Sequence, residues 1–188
     1  MLSAKFGHCL DAPLRPLIRL IPFSPNSLTF TGFFVTTIAA LVIPHNIRAG
    51  GVLIAFGGLF DMLDGMVART GGRTSKFGAF LDSVLDRYSD AFLFLSLAWY
   101  LAGQGSHTGS FLSLGTLVGA FLISYARARA EGLGQECRTG LMERPERIIL
   151  LIFATLTGWI VPVLWIMLVL THITVIQRMY YVWKAMKK

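Results

Sequence analysis

Apolar residues in this chain come in runs of about 20, the length one helix needs to cross a bilayer, and turn or charge signals separate the runs. They predict spans near 28–45, 49–69, 77–102, 109–130, 146–161 and 162–183. The break between the last two falls at Gly158 to Pro162, because proline cannot continue a helix without losing a hydrogen bond; a single kinked segment is the alternative. Ahead of the first run, Leu10, Leu14, Leu17, Ile18 and Ile21 recur at helical spacing. Residues 1–27 therefore read as a juxtamembrane segment whose amphipathic helix lies in the interface, interrupted by Pro13 and Pro16. The expected fold is an all-α integral membrane protein, one domain over residues 1–188, with six transmembrane helices and an N-terminal amphipathic interfacial helix.

Composition agrees with that pattern: 54% of residues are hydrophobic and 14% are charged, too apolar a balance for a soluble domain of this size. The basic residues orient the spans. Lys5, Arg15 and Arg19 precede the first; Arg69, Arg73 and Lys76 flank one connection; Arg127, Arg129, Arg138, Arg144 and Arg147 surround another; Arg178, Lys184, Lys187 and Lys188 end the chain. Of the 17 Lys and Arg, only Arg48 and Arg87 fall elsewhere. The positive-inside rule makes the basic face cytoplasmic and puts both termini of a multi-pass chain there, in the cell membrane. A net charge of +7 is accounted for by topology, anionic lipid headgroups and phosphate binding, with no nucleic acid required. Cys9 and Cys137 lie on the reducing side, so no structural disulfide is expected.

An aspartate inside a span costs on the order of 3 kcal/mol, so four in two neighbouring spans point to function. Asp61, Asp64, Gly65, Ala68 and Arg69 fall within an arc of roughly 140° on the second span. Gly78, Asp82 and Asp86 follow at i, i+4 and i+8 on the third. Measured from Arg69 and Gly78, Asp61 and Asp86 lie about 12 Å deep, and Asp64 and Asp82 about 6 to 8 Å. Carboxylates gathered this closely repel one another, and hard divalent cations such as magnesium or manganese neutralise them with oxygen ligands. Asp90 extends the stripe by a turn and reads either as a fifth acid in the cavity or, the favoured reading, as a structural partner of Arg87.

Together these residues spell D-x2-D-G-x2-A-R-x8-G-x3-D-x3-D from Asp61 to Asp86. The pattern resembles, without departure, the signature of the CDP-alcohol phosphotransferase family. The resemblance implies a homodimer with a cytoplasm-facing site, in which Asp61, Asp64, Asp82 and Asp86 hold two Mg2+ or Mn2+ ions and Asp86 is the catalytic base. It also implies that Gly65, Arg69 and Gly78 line the site for a CDP-lipid, CDP-diacylglycerol or CDP-archaeol, with Thr74 and Ser75 as weaker contacts. The P-N-x-x-T segment of Pro25, Asn26, Ser27 and Thr29 is expected to cap the first span, and the resemblance sets it near the nucleotide.

A second layer of residues bears on the acceptor. Arg127 and Arg129 close the fourth span, Arg144 and Arg147 follow the next connection, and Arg178 lies near the end of the last span. Guanidinium groups bind phosphate through paired hydrogen bonds, so a phosphorylated polyol acceptor would explain several. The segments resemble the branch of the family that makes phosphatidylinositol phosphate or its archaeal ether-lipid equivalent from inositol 1-phosphate. Glycerol 3-phosphate is the alternative acceptor, and a small cation transporter is the alternative of another class. Glu143 and Glu146 are expected to pair with Arg144 and Arg147 at a helix start.

Overall fold

A helix begins at Pro25, where the missing N–H is one that no helix would satisfy internally, and it ends at Val42, just short of Pro44. This is α1 in a computed structural model that describes residues 25–70, 75–137 and 139–187. The expected interfacial helix, Thr74 and Cys9 lie outside those residues, as do the side chains of Ala68 and Arg69. Asn46 caps α2 (Ile47–Thr70), its Oδ1 accepting from the Ala49 amide at 3.1 Å. Ser75 does the same for α3 (Lys76–Gly103), accepting from the Gly78 amide at 2.9 Å. Ser106 caps α4 (His107–Gly132). Helix α5 (Arg144–Thr157) carries Pro145 in its first turn and stops at Gly158, whose φ of 83° lies in the left-handed region that glycine enters freely. Helix α6 (Ile160–Met186) follows, so the 146–183 stretch holds two helices rather than one kinked one. Every regular element among the described residues is helical.

The first helix therefore starts three residues before the predicted 28–45 span and includes the P-N-x-x-T segment. Thr29 is not a cap: it sits in the second turn, and its side chain is used elsewhere.

The chain divides into two compact units within α3, between Leu93 and Phe94. In the first, α1 and α2 form an antiparallel hairpin with one continuous register: positions facing each other are Thr29 and Asp64, Gly32 and Asp61, Thr36 and Gly57, Ile43 and Gly50. A Cβ on Gly32 would come within 2.9 Å of Asp61 Oδ1, and one on Gly57 would collide with Thr36 Oγ1. Small residues thus bring the two backbones together where lipid offers no hydrophobic drive for association.

In the second unit the start of α4 packs on the end of α3, with Ser113 donating to the Phe94 carbonyl at 2.7 Å and Ser110 to the Ala98 carbonyl at 2.9 Å. Along α4, Gly115 and Gly119 abut Leu168 and Thr171 of α6, which runs parallel to it. Phe94, Leu112, Leu151, Leu164 and Met167 fill the interior.

Helices α2 (over Ile47–Val67), α4 and α6 are long and apolar enough to cross a membrane. Helix α5 has 14 residues, a rise of about 21 Å against a hydrocarbon core of about 30 Å. Helix α3 has the length but carries Asp82, Asp86, Arg87 and Asp90. Large apolar side chains stand outward, among them Trp99 at 75% and Phe111 at 73% exposure, as expected for surfaces that lipid covers.

Candidate active site

The signature aspartates all lie in the first unit, on α2 and α3. Asp64 is buried, and Thr29 Oγ1 donates to its Oδ2 at 2.6 Å from α1. The charges of Asp82 and Asp61 both reach Asp64, so acids from α2 and α3 share one electrostatic neighbourhood. Asp61 is half-buried and leans on the space left by Gly32. Asp86 is half-buried one turn beyond Asp82; its Oδ2 lies 3.9 Å from Arg87 Nη1, which also donates to the Ser83 carbonyl. Arg87 therefore turns toward Asp86; Asp90 is buried a turn further on.

Among the described residues, no three acidic, His or Cys side chains converge closely enough to hold a metal ion. Like charges repel at ligand distance, and a cation is what draws carboxylates onto one centre. The donor set nevertheless fits a hard divalent cation: it is all oxygen, Asp64 is anchored through one of its two oxygens, and Asp61 and Asp82 flank it.

Of the residues expected at the nucleotide, Gly65 is half-buried on α2. Gly78 lies on the first turn of α3, where an added Cβ would meet Ser75 Oγ at 2.9 Å and Asn26 Oδ1 at 3.0 Å. The Ser75 hydroxyl serves as the α3 cap. The Arg69 side chain and Thr74 lie outside the described residues.

The arginines lie in the second unit. Arg178 is buried and its guanidinium is framed by backbone: Nε donates to the Thr139 carbonyl at 2.8 Å and Nη1 to the Ile123 carbonyl at 2.7 Å, while Nη2 meets Glu143 Oε1 at 3.5 Å. Glu143, expected beside Arg144 or Arg147, thus carries an ion pair to Arg178. Arg147 is also buried and donates from Nη1 to the Met142 carbonyl at 3.4 Å. The charges of Glu143, Arg127 and Arg147 reach Arg178, so three of the expected phosphate ligands share one electrostatic neighbourhood. Arg127 is exposed and paired with Glu131 at 2.9 Å; Arg129 is exposed on the same helix, and Arg144 is half-buried at the start of α5. Cys137 is a buried free thiol.

Sequence reasoning did not single out Thr29 for a bond to Asp64, and it passed over Gly32, Gly140 and Thr174 altogether. The available signal for the first two was their i, i+3 spacing, which matches that of Asp64 and Asp61.

Two acidic helices with this spacing, beside a small-residue helix, define a class. The chain belongs to the CDP-alcohol phosphatidyltransferase family, whose model matches residues 23–179, and is a membrane transferase of all-α fold. It is similar to the archaetidylinositol phosphate synthase of Methanothermobacter thermautotrophicus, 37% identical over 190 residues that cover 97% of this chain and 95% of the relative. It is similar also to the phosphatidylinositol phosphate synthase of Mycobacteroides abscessus, 34% identical over 97% of this chain and 87% of that one. The crystal structure of Mycobacterium tuberculosis phosphatidylinositol phosphate synthase with CDP-DAG bound superposes with a TM-score of 0.81 at 32% identity, covering 92% of this chain and 93% of the other. The same enzyme in complex with manganese and citrate gives a TM-score of 0.79 over 92% and 88% of the two chains.

Proposed function

We propose that the protein transfers a phosphatidyl or archaetidyl group from a CDP-lipid to a hydroxyl of inositol 1-phosphate, releasing CMP. The observation that carries the acceptor is the grouping of Arg127, Arg147 and Arg178, two of them buried, in a chain whose near full-length relatives are named for inositol phosphate products. Arg129 and Arg144 add to the same positive field.

The acceptor hydroxyl oxygen attacks the lipid-linked phosphorus, the bond from that phosphorus to CMP breaks, and the hydroxyl proton passes to Asp86. Asp61, Asp64, Asp82 and Asp86 would hold the metal, two Mg2+ or Mn2+ ions, which would supply charge stabilisation at the phosphoryl oxygens and orientation of the diphosphate. Gly65 and Gly78 leave room for the nucleotide, and Arg69, with Thr74 and Ser75 as weaker candidates, would bind the CDP-lipid. The chain acts as one transmembrane domain of six crossings, in a homodimer. Its termini and active site face the cytoplasm of the cell membrane, as its basic residues favour.

A competition assay with CDP-lipid and radiolabelled inositol 1-phosphate against glycerol 3-phosphate tests the acceptor. Preferential labelling of lipid by inositol 1-phosphate is expected, and selective use of glycerol 3-phosphate would overturn the assignment.

A further inference from the structure

A short stretch of backbone orients both buried arginines. The Thr139 carbonyl accepts from Arg178 Nε at 2.8 Å, and three residues on the Met142 carbonyl accepts from Arg147 Nη1 at 3.4 Å. Neither carbonyl belongs to a helix, so their directions are set by whatever fixes the 139–142 segment. Thr174 does so from α6. Fully buried, it accepts the Met142 amide at 3.0 Å through Oγ1 and donates its own proton to the Leu170 carbonyl at 2.8 Å. A threonine hydroxyl used in both directions has one rotamer that serves, so the amide it holds is held at a defined place.

Gly140 completes the arrangement. Its φ of 149° is one that side-chain-bearing residues rarely adopt, and a Cβ there would meet Thr174 Cγ2 at 2.6 Å and Arg178 Nε at 3.5 Å. The segment lies tight against α6 because residue 140 is glycine, and its register there is read by the Thr174 hydroxyl.

We propose that Thr174 is a positioning residue for the acceptor's phosphate: by fixing the Met142 amide it sets the Thr139 and Met142 carbonyls, and these aim Arg178 and Arg147. The inference rests on the reading above that these arginines bind that phosphate. Thr174 touches no substrate in it. Removing the hydroxyl while keeping the shape leaves the Met142 amide buried without its acceptor, and the segment shifts to find another.

The test is steady-state kinetics on the full chain in lipid nanodiscs, varying inositol 1-phosphate and CDP-lipid separately, for the wild type, Thr174→Val and Thr174→Ser. Thr174→Val is expected to raise the KM for inositol 1-phosphate about tenfold, with kcat and the KM for CDP-lipid within about twofold of wild type. Thr174→Ser, which restores the hydroxyl, returns the acceptor KM to near the wild-type value. Hydrogen exchange over residues 139–143 is expected to quicken in Thr174→Val and not in Thr174→Ser, a readout that does not depend on turnover. An unchanged acceptor KM in Thr174→Val, or a loss of kcat with no change in KM, overturns the inference and leaves the proposed reaction standing. If the wild type uses glycerol 3-phosphate instead, the same KM ratio with that acceptor decides the matter, since both carry the phosphate. A wild type that uses only acceptors lacking phosphate overturns the reading and the inference together.

Discussion

Thr29 and Asp64 stand 35 residues apart and meet at 2.6 Å across the α1–α2 hairpin, hydroxyl to carboxylate, both buried. One oxygen of Asp64 is therefore fixed by α1, outside the sequence signature.

Loss of that bond should be felt first in metal affinity. A hydrogen bond to a charged group contributes about 1.5–3 kcal/mol, so Thr29→Val should raise the half-saturating Mn2+ concentration by about 10- to 100-fold, and Thr29→Ser should largely restore it. Titration of Mn2+ followed by electron paramagnetic resonance reads this without turnover.

In the proposed reaction Asp86 takes the acceptor proton; Arg87 Nη1 lies 3.9 Å from its Oδ2. Asp86→Asn should lower CMP release by about 10²- to 10⁴-fold, the range general-base catalysis supplies. Chelation of divalent metal should abolish release in the wild type, and readdition of Mg2+ or Mn2+ should restore it in the wild type but not in the variant.

Two arginines of the same group should behave differently. Arg178 is buried among the Thr139 and Ile123 carbonyls and Glu143, so Arg178→Met strands three acceptors and should cost about 3–5 kcal/mol of stability, visible as a lower thermal midpoint. Arg127 is exposed and pairs only one turn along its own helix, so Arg127→Met should change the midpoint little, the pair contributing about 0.5 kcal/mol or less, while the acceptor KM rises.

Gly57 faces Thr36 where no Cβ fits. Gly57→Ala should wedge the hairpin at a cost of about 1–3 kcal/mol and weaken Mn2+ binding as well, because the same register carries Thr29 to Asp64. A thermal shift with unaltered Mn2+ affinity would falsify the link between packing and site.

The helices were legible because apolar runs and their punctuation are local: Gly158, read as a break, stops α5 by chemistry visible within four residues. The aspartates were legible because acid in an apolar run has few explanations. What stayed hidden depends on contacts distant in sequence. Nothing near Arg178 announces that the Thr139 and Ile123 carbonyls, 39 and 55 residues earlier, would frame it. Thr29 looked like a cap because Pro-Asn-Ser precedes it, whereas Pro25 itself starts the helix and frees the Thr29 hydroxyl for α2. The predicted 28–45 span begins three residues late for the same reason, and ends three residues late because Pro44 disfavours helix at the residue before it.

The turn between α1 and α2, Ile43 to Asn46, is about 22 Å of helix away from Asp61, yet it works as a ruler for the aspartates of α2. Every facing pair from Ile43 and Gly50 down to Thr29 and Asp64 is counted from it. One extra residue within α1, between Thr29 and Val42, would turn the Thr29 end of the helix by about 100° and carry its hydroxyl off Asp64, with every aspartate still in place.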